Sequence, residues 1–596
     1  MTGKDATTSA WGPQWLEDGR VRFRLWAPEV GPPEVVVEGA RYPMTAVGEG
    51  WFEADVADLS EGASYRFRLP DGTEVIDPAA HALPQGLDGP SSLVNHRGYP
   101  WRTQDWTAFS WEEAVVSEIH IGTFTQEGTF AAAIEKLPHL AETGINALEI
   151  LPVGQFPGER GWGYDGVGHY APHWAYGTPD DLKAFVDAAH AHGIALYLDV
   201  VYNHFGPEGN HVPRYAPGFF LTERETPWGV ALDFTRKPVR RYFIDNALHW
   251  LEHYRFDGLR FDATHEIYDA SEEHVLSEIV REARGRFPDR HIHLIAEGQR
   301  HRWGMVSYHA ARPLLYDTGW NDHFHQALNV IVTGEAGGYY ADFADDPESG
   351  LALAMEGRRP GARSPREMVG EADYAEAHWP PQAFMNFLQN HDQVGNRAFG
   401  DRLWTRIDPP MARILTALLL LSPQIPLLFM GDEYGETNPF MFFADYTGEL
   451  GEAVREGRRS EAENFGSLAP GDKETALPDP LAPSTFDASK LDWSRPGSQR
   501  GKERLALHRE LISLRRRHIV PLLAAREPVE GKVVKAEQGI LAMDWRFTGA
   551  TLQLRARLSP GSAELPGATG RIIWFDSPEA IENGPEITVA IRTSEG

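Results

Sequence analysis

Three carboxylates stand at or just beyond the ends of short apolar runs. Asp262 closes Gly258-Leu-Arg-Phe-Asp262, Glu297 closes Ile292-His-Leu-Ile-Ala-Glu297, and Asp392 follows Phe387-Leu-Gln-Asn-His-Asp392. A carboxylate at the end of an apolar strand is costly to bury unless it is paired or hydrogen-bonded. Each alone reads equally well as a structural ion pair or a helix cap. Three converging from different strands favour chemistry. Two carboxyl groups are what cleavage of a glycosidic bond requires, one protonated to assist the leaving oxygen and one to attack or to activate water. Arg260, two residues before Asp262, faces the same side of a strand. It could hold that carboxylate ionised by opposite charge, or serve as an ordinary structural ion pair.

These residues need a scaffold that brings strand ends together. From about residue 115 short apolar runs alternate with longer amphipathic segments. Strands are expected over 115–121, 147–151, 195–201, 258–261, 292–296, 314–316, 383–388 and 426–429. Helices are expected over 130–143, 178–192, 239–254, 271–287, 411–421 and 503–517. Thr178-Pro179 followed by Asp180 and Asp181 is a good helix start: a capping hydroxyl, proline in the first turn, and acids at the positive helix end. Alternating strand and helix implies a parallel sheet, and eight such strands close a (β/α)8 TIM barrel. The long connections 203–233, 301–320 and 431–500 follow strands, where barrel active sites are built. Residues 1–100 alternate with period two and read as a β-sandwich, with a linker over 77–90 rich in Pro, Gly and Asp; 528–596 return to period two as a small C-terminal β-domain. The barrel then occupies 101–527.

Composition removes whole classes of function. The 596 residues contain no cysteine, which excludes disulfides, thiolate nucleophiles, iron–sulfur clusters and Cys-ligated zinc. With 56 Lys plus Arg against 86 Asp plus Glu, the net charge of −30 argues against nucleic acid as a partner. No run reaches the roughly 18 apolar residues of a membrane span, and the opening segment lacks a signal-peptide core. No membrane association and a cytoplasmic location are therefore expected. Asp199, Asn203 and His204 could act as metal ligands, but no EF-hand or HExxH spacing appears. Hydrolysis by paired carboxylates requires no metal, so neither metal nor cofactor is expected.

Four segments in this order, Asp199-Val-Val-Tyr-Asn-His204, Gly258-Leu-Arg-Phe-Asp262, Ala296-Glu297 and Asn390-His-Asp392, resemble the four motif regions of the α-amylase superfamily of glycoside hydrolases. The resemblance spans roughly residues 110–520. It implies a retaining mechanism with Asp262 as nucleophile, Glu297 as general acid/base and Asp392 as transition-state stabiliser. It implies that His204, Arg260 and His391 contact the sugar at the cleavage point, with His265 nearby. Tyr164 and Asp165, in Gly161-Trp-Gly-Tyr-Asp165, match the stacking tyrosine and its aspartate partner. Phe261 and Thr264 depart from an aliphatic pair common in related enzymes, without touching the catalytic residue types.

Finer features resemble the maltooligosyltrehalose trehalohydrolase family within that superfamily. These are Gly319-Trp-Asn-Asp-His-Phe-His325, Gly431-Asp-Glu-Tyr-Gly435 with its continuation to Asp445, and Arg455-Glu-Gly-Arg-Arg459; Phe23-Arg-Leu-Trp-Ala-Pro28 resembles the sandwich module of branching, debranching and trehalose-forming members rather than secreted α-amylases. That resemblance implies that Asn321, Asp322, His323, Phe324 and His325 bind substrate, as do Gln393 and Asn396; a polar start of the next helix is the alternative. Trp174, Trp228 and Trp320 could stack on sugars or pack in the core. The implied substrates are maltooligosyltrehalose and maltooligosaccharides; protein partners are not indicated. Rival readings are a branching or debranching enzyme with the same carboxylates, and a non-catalytic glycan-binding protein. The last should have lost a catalytic carboxylate, and all three are present.

Overall fold

The computed structural model describes residues 9–298, 315–356, 379–464, 476–524, 529–577 and 583–593, with the backbone alone of 308–309 and 312–313. Eight parallel strands close a barrel: β1 (Val116–Ile119), β2 (Ala147–Ile150), β3 (Ala195–Val200), β4 (Gly258–Phe261), β5 (His293–Ala296), β6 (Thr318–Trp320), β7 (Phe384–Phe387) and β8 (Ile425–Phe429). Closure comes from β1 against β8, where Val116 pairs with Leu427 and Glu118 with Phe429. The interior is filled rather than hollow. Val116, Ala147, Tyr197, Ile295, Met385 and Leu427 pack into one buried cluster, closed at the bottom by Trp111. This is how a barrel of eight strands fills its own lumen.

The helices between strands start where the chain chemistry directs. In α1 (Pro179–Ala191) the Thr178 hydroxyl accepts from the Asp181 N–H at 3.2 Å, while the Asp181 carboxylate accepts from the Thr178 N–H at 2.8 Å. That reciprocal pair satisfies donors that the first turn leaves open. Further round the barrel lie α2 (Lys237–His253), α3 (Val275–Arg286) and α4 (Asp322–Thr333), and beyond β8 lies α5 (Gly448–Asn464).

Some expectations change. The helix expected over 130–143 is two, Phe130–Ile134 and Leu137–Thr143, because Pro138 lacks an N–H and belongs in a first turn. The sixth strand is not 314–316 but Thr318–Trp320; Tyr316 instead packs edge-on to Phe261, with ring centroids 5.3 Å apart. The segment read as a linker is packed: its Ala80 and Leu83 are buried with Ile76 and Ala171, and Tyr242 Oη donates to the Pro78 carbonyl at 2.8 Å. The connection 301–320 lies largely outside the described residues, whereas 203–233 carries a hairpin, Phe220–Thr226 with Gly229–Leu232.

Before the barrel two antiparallel sheets face each other, built around Val21–Trp26 with Trp51–Val56 and around Glu34–Val37 with Ser64–Arg68. Val21, Phe23 and Leu25 on one sheet and Val35 and Phe67 on the other are fully buried, the period-two pattern of a sandwich. After the barrel a five-stranded antiparallel sheet runs from Glu530 to Thr593.

Candidate active site

Strand register places the charged centre. Asp199 on β3 lies opposite Arg260 on β4, and the fully buried guanidinium turns into the barrel mouth. Its Nη1 lies 2.5 Å from Asp199 Oδ2 and 2.9 Å from Asp262 Oδ1, and its Nη2 lies 2.8 Å from Glu297 Oε2. The guanidinium also sits over the Trp320 ring at 4.0 Å. A buried cation is costly unless paired on several sides. Burial opposes the Arg260 charge, but Asp199 and Glu297 outweigh it and hold the group protonated well above its ordinary range.

Backbone geometry fixes the two strand ends against each other. Ala263, directly after Asp262, takes a left-handed conformation with φ 39°, and its N–H donates to Glu297 Oε2 at 2.7 Å. A non-glycine residue there carries strain that the surrounding contacts must sustain. Burial, then the charge of Glu297, pushes Asp262 well above the carboxylate range. Burial acts on Glu297 as well, but Arg260, the Ala263 N–H and His265 bring it below its ordinary value. The two titrate as a unit, and within the pair Asp262 is the member that favours the proton.

Asp392 enters from the loop after β7. Asn390 Oδ1 caps this turn by accepting from the Asp392 and Gln393 N–H groups at 3.0 and 3.2 Å. His391 Nε2 lies 3.4 Å from Asp392 Oδ1, and His391 Nδ1 lies 2.6 Å from Glu118 Oε1. Burial disfavours the imidazolium, but Asp392 and Glu118 overcome it and raise His391 to about 9. At neutral pH it is therefore a cation, donating to Glu118 and facing Asp392 as an ion pair.

Asp262, Glu297 and Asp392 line one cleft of about 790 Å³, together with Tyr164, Asp165 and His204. Tyr164 donates to Asp199 at 2.7 Å and stacks on His391 at 5.1 Å. His204 is held neutral by burial, at about 4, and stacks on Trp228, which is 48% exposed. An exposed indole beside the cleft is suited to a sugar face, and Trp320 forms part of the cleft wall above Arg260. Trp174 lies outside the cleft lining.

His265, Asn321, Asp322, His323, Gln393 and Asn396 also border the cleft. The amide of Asn321 is nevertheless spent on the Ala354 carbonyl and Asn386, at 3.0 and 2.7 Å. Arg260 lies beneath the carboxylates rather than on the lining. Phe324 and His325 do not reach the cleft. Successive helical residues turn by about 100°, so α4 presents 322, 323 and 326 outward while Phe324 enters the core. His325 lies with its ring nitrogens on the Leu388 carbonyl and Tyr340 Oη, at 2.7 and 3.0 Å.

Sequence reasoning missed Glu118, which holds His391, and the contribution of α5. Arg458 of α5 lines the cleft, donating to the Gly395 carbonyl at 2.9 Å and lying 5.0 Å over the Phe442 ring. The run Arg455–Arg459 was the available signal for α5.

The family model of the α-amylase catalytic domain matches residues 90–215. The malto-oligosyltrehalose trehalohydrolase of Deinococcus radiodurans is 41% identical over 501 residues, 83% of this chain and 81% of that protein. The enzyme of the same name from Saccharolobus solfataricus is 36% identical, covering 84% of this chain and 86% of that one. A crystal structure from Salmonella typhimurium, described as an α-amylase, superposes with a TM-score of 0.90 and 46% identity, covering 98% of this chain and 100% of that one. The chain belongs to the malto-oligosyltrehalose trehalohydrolase family, a branch of the α-amylase group of glycoside hydrolases.

Proposed function

We propose that the cleft hydrolyses the α-1,4-glucosidic bond next to the terminal trehalose of maltooligosyltrehalose, releasing trehalose from a maltodextrin-derived substrate. As the sugar binds, the proton of the pair passes to Glu297; the Asp262 carboxylate then attacks the anomeric carbon and forms a glycosyl ester, while Glu297 gives that proton to the departing oxygen of trehalose. Glu297 then takes a proton from water, whose oxygen attacks the same anomeric carbon and breaks its bond to Asp262, releasing the shortened maltooligosaccharide with its configuration retained and restoring the Asp262 carboxylate. Asp392, beside the His391 imidazolium, stabilises the positive charge that develops on the sugar ring. Tyr164, Asp165, His204, His265, His391, Gln393 and Asn396 hold the ring at the cleavage point, and Asn321, Asp322 and His323 shape the leaving-group side.

One observation carries this reading: Asp262 and Glu297 share one buried guanidinium in a cleft that also holds Asp392. Such an arrangement holds two carboxyls adjacent on one cleft, as an acid and a nucleophile working on one glycosidic bond require. We assign residues 1–100 to the sandwich, 101–527 to the catalytic barrel and 528–596 to the C-terminal sheet. The absence of cysteine supports a cytoplasmic setting, and no described helix is long and apolar enough to cross a membrane. The deciding assay incubates the purified protein with defined maltooligosyltrehaloses and, separately, with amylose. Trehalose should be released from the first faster than any product from the second. Redistribution of chain lengths without free trehalose would identify a transferase instead.

A further inference from the structure

Outside the cleft, four histidines gather between the segment that follows the sandwich and a barrel helix. His81 and His96 come from that segment, and His249 and His253 from α2. The helical pair is spaced i, i+4, which puts both rings on one face. One nitrogen from each of His81, His96 and His249 lies within 4.8 Å of the others. His253 stacks on His96, with ring centroids 4.5 Å apart and planes 7° from parallel, and its centroid lies 5.2 Å from that of His249.

The unused nitrogens point to a ligand. His81 Nδ1 and both ring nitrogens of His96 are buried without a hydrogen-bond partner. His81 and His249 are only 8% and 5% exposed, so leaving such groups unpaired is costly. His249 Nε2 lies 3.0 Å from the Tyr170 carbonyl. A carbonyl only accepts, so Nε2 carries the proton and Nδ1 carries the lone pair. A metal-bound histidine characteristically donates its other N–H to a carbonyl in this way. The ammonium of the buried Lys183 is paired with Asp180 at 2.9 Å. Glu252 is turned away to Arg286 at 2.9 Å.

We infer that His81, His96 and His249 bind a divalent transition metal ion of the zinc type, with the fourth position left to solvent and His253 stacked on the His96 ring. An all-imidazole set suits zinc, copper or nickel rather than calcium or magnesium. Tetrahedral zinc with bonds of about 2.0–2.1 Å needs nitrogens about 3.4 Å apart, so each ring must close in by less than about 1 Å. His96 and His253 are only partly buried as residues. Bound there, the ion ties the segment after the sandwich to α2 and takes no part in glycoside cleavage, since none of the four histidines lines the cleft.

The test uses tag-free full-length protein, stripped with a chelator, loaded with Zn²⁺ and freed of excess metal by gel filtration. One zinc per chain should remain by mass spectrometry, the melting temperature should rise with zinc, and Co²⁺ loading should give the visible absorption of tetrahedral cobalt. His96→Gln and His249→Gln should each lose the retained metal and the zinc-dependent rise. The partly exposed His96 makes the first variant tolerable to the fold, which circular dichroism in chelator verifies. Turnover of maltooligosyltrehalose should be the same with and without zinc. Wild-type protein that retains no zinc would overturn the site, as would a folded His96→Gln protein that retains as much as the wild type.

Discussion

Glu118 accepts two hydrogen bonds from one residue, from the backbone N–H of His391 at 2.8 Å and from its Nδ1 at 2.6 Å. The carboxylate lies inside β1, fully buried, and fixes both the position and the charge of an imidazole that faces Asp392. Through this pair the first barrel strand acts on the loop after the seventh.

Glu118→Gln keeps the shape and removes the charge. A hydrogen bond to a charged group is worth about 1.5–3 kcal/mol, or roughly one to two pH units for His391. The raised base favours the proton in the folded state. Its stabilising contribution is therefore complete below about pH 6.5 and lost as pH rises through about 9. In the variant the alkaline limb of the kcat/KM profile should move down by about a unit or more, and the difference in melting temperature between pH 6 and pH 9.5 should shrink. An unmoved alkaline limb would show that the imidazolium is not needed for turnover.

Asp262→Asn, Glu297→Gln and Asp392→Asn should each lower kcat with little change in melting temperature. General acid–base assistance alone is worth about 10²–10⁴-fold, and loss of the nucleophile should cost at least as much. Near-normal turnover in any purified variant removes that residue from its role.

Arg260→Gln should behave differently, because it strands three carboxylates. Asp199 and Arg260 side chains are 2% and 0% exposed, so the pair has no solvent to fall back on. Breaking a buried pair by removing one partner costs about 3–5 kcal/mol. Denaturant unfolding should register a loss of that order at pH 7, smaller at pH 4.5, where the carboxylates take up protons. A stability equal to wild type would mean that water reaches the centre.

What the sequence disclosed follows from range. Gly258–Phe261 was legible to the residue, since an apolar strand ending in a carboxylate is a local pattern. Thr318–Trp320 was not, because three residues around a glycine show no period, and a more apolar stretch precedes them. Glu118 was invisible for another reason: its partner lies 273 residues away, and a lone acid in an apolar strand announces nothing. Phe324 and His325 were drawn into the site by their neighbours, although helical rotation separates them from Asp322.

Specificity rests on the leaving-group side of the cleft. Trehalose has no reducing end and bends between its two rings, so a groove for α-1,4 chains does not by itself select it. Selection requires polar groups that lose their partners when the wrong sugar binds. Asp322 heads α4 on the cleft wall, 3.5 Å from Gln393 Nε2. Burial, then the charges of Glu297 and Asp392, pushes it up to about 7. Near neutral pH it therefore exists in both forms, able to donate to or accept from a sugar hydroxyl. Asp322→Ala should lower kcat/KM for maltooligosyltrehalose more than for plain maltooligosaccharides. An unpaired buried group costs about 1–3 kcal/mol, or roughly 5- to 150-fold in the ratio. Asp322→Asn, which keeps one donor and one acceptor, should recover part of that loss. The measurement is the ratio of the two specificity constants in each variant against the unmutated enzyme. If Asp322→Ala leaves that ratio where it was, Asp322 does not read the trehalose end, and selection must lie with other groups on the cleft wall such as His323 or Arg458.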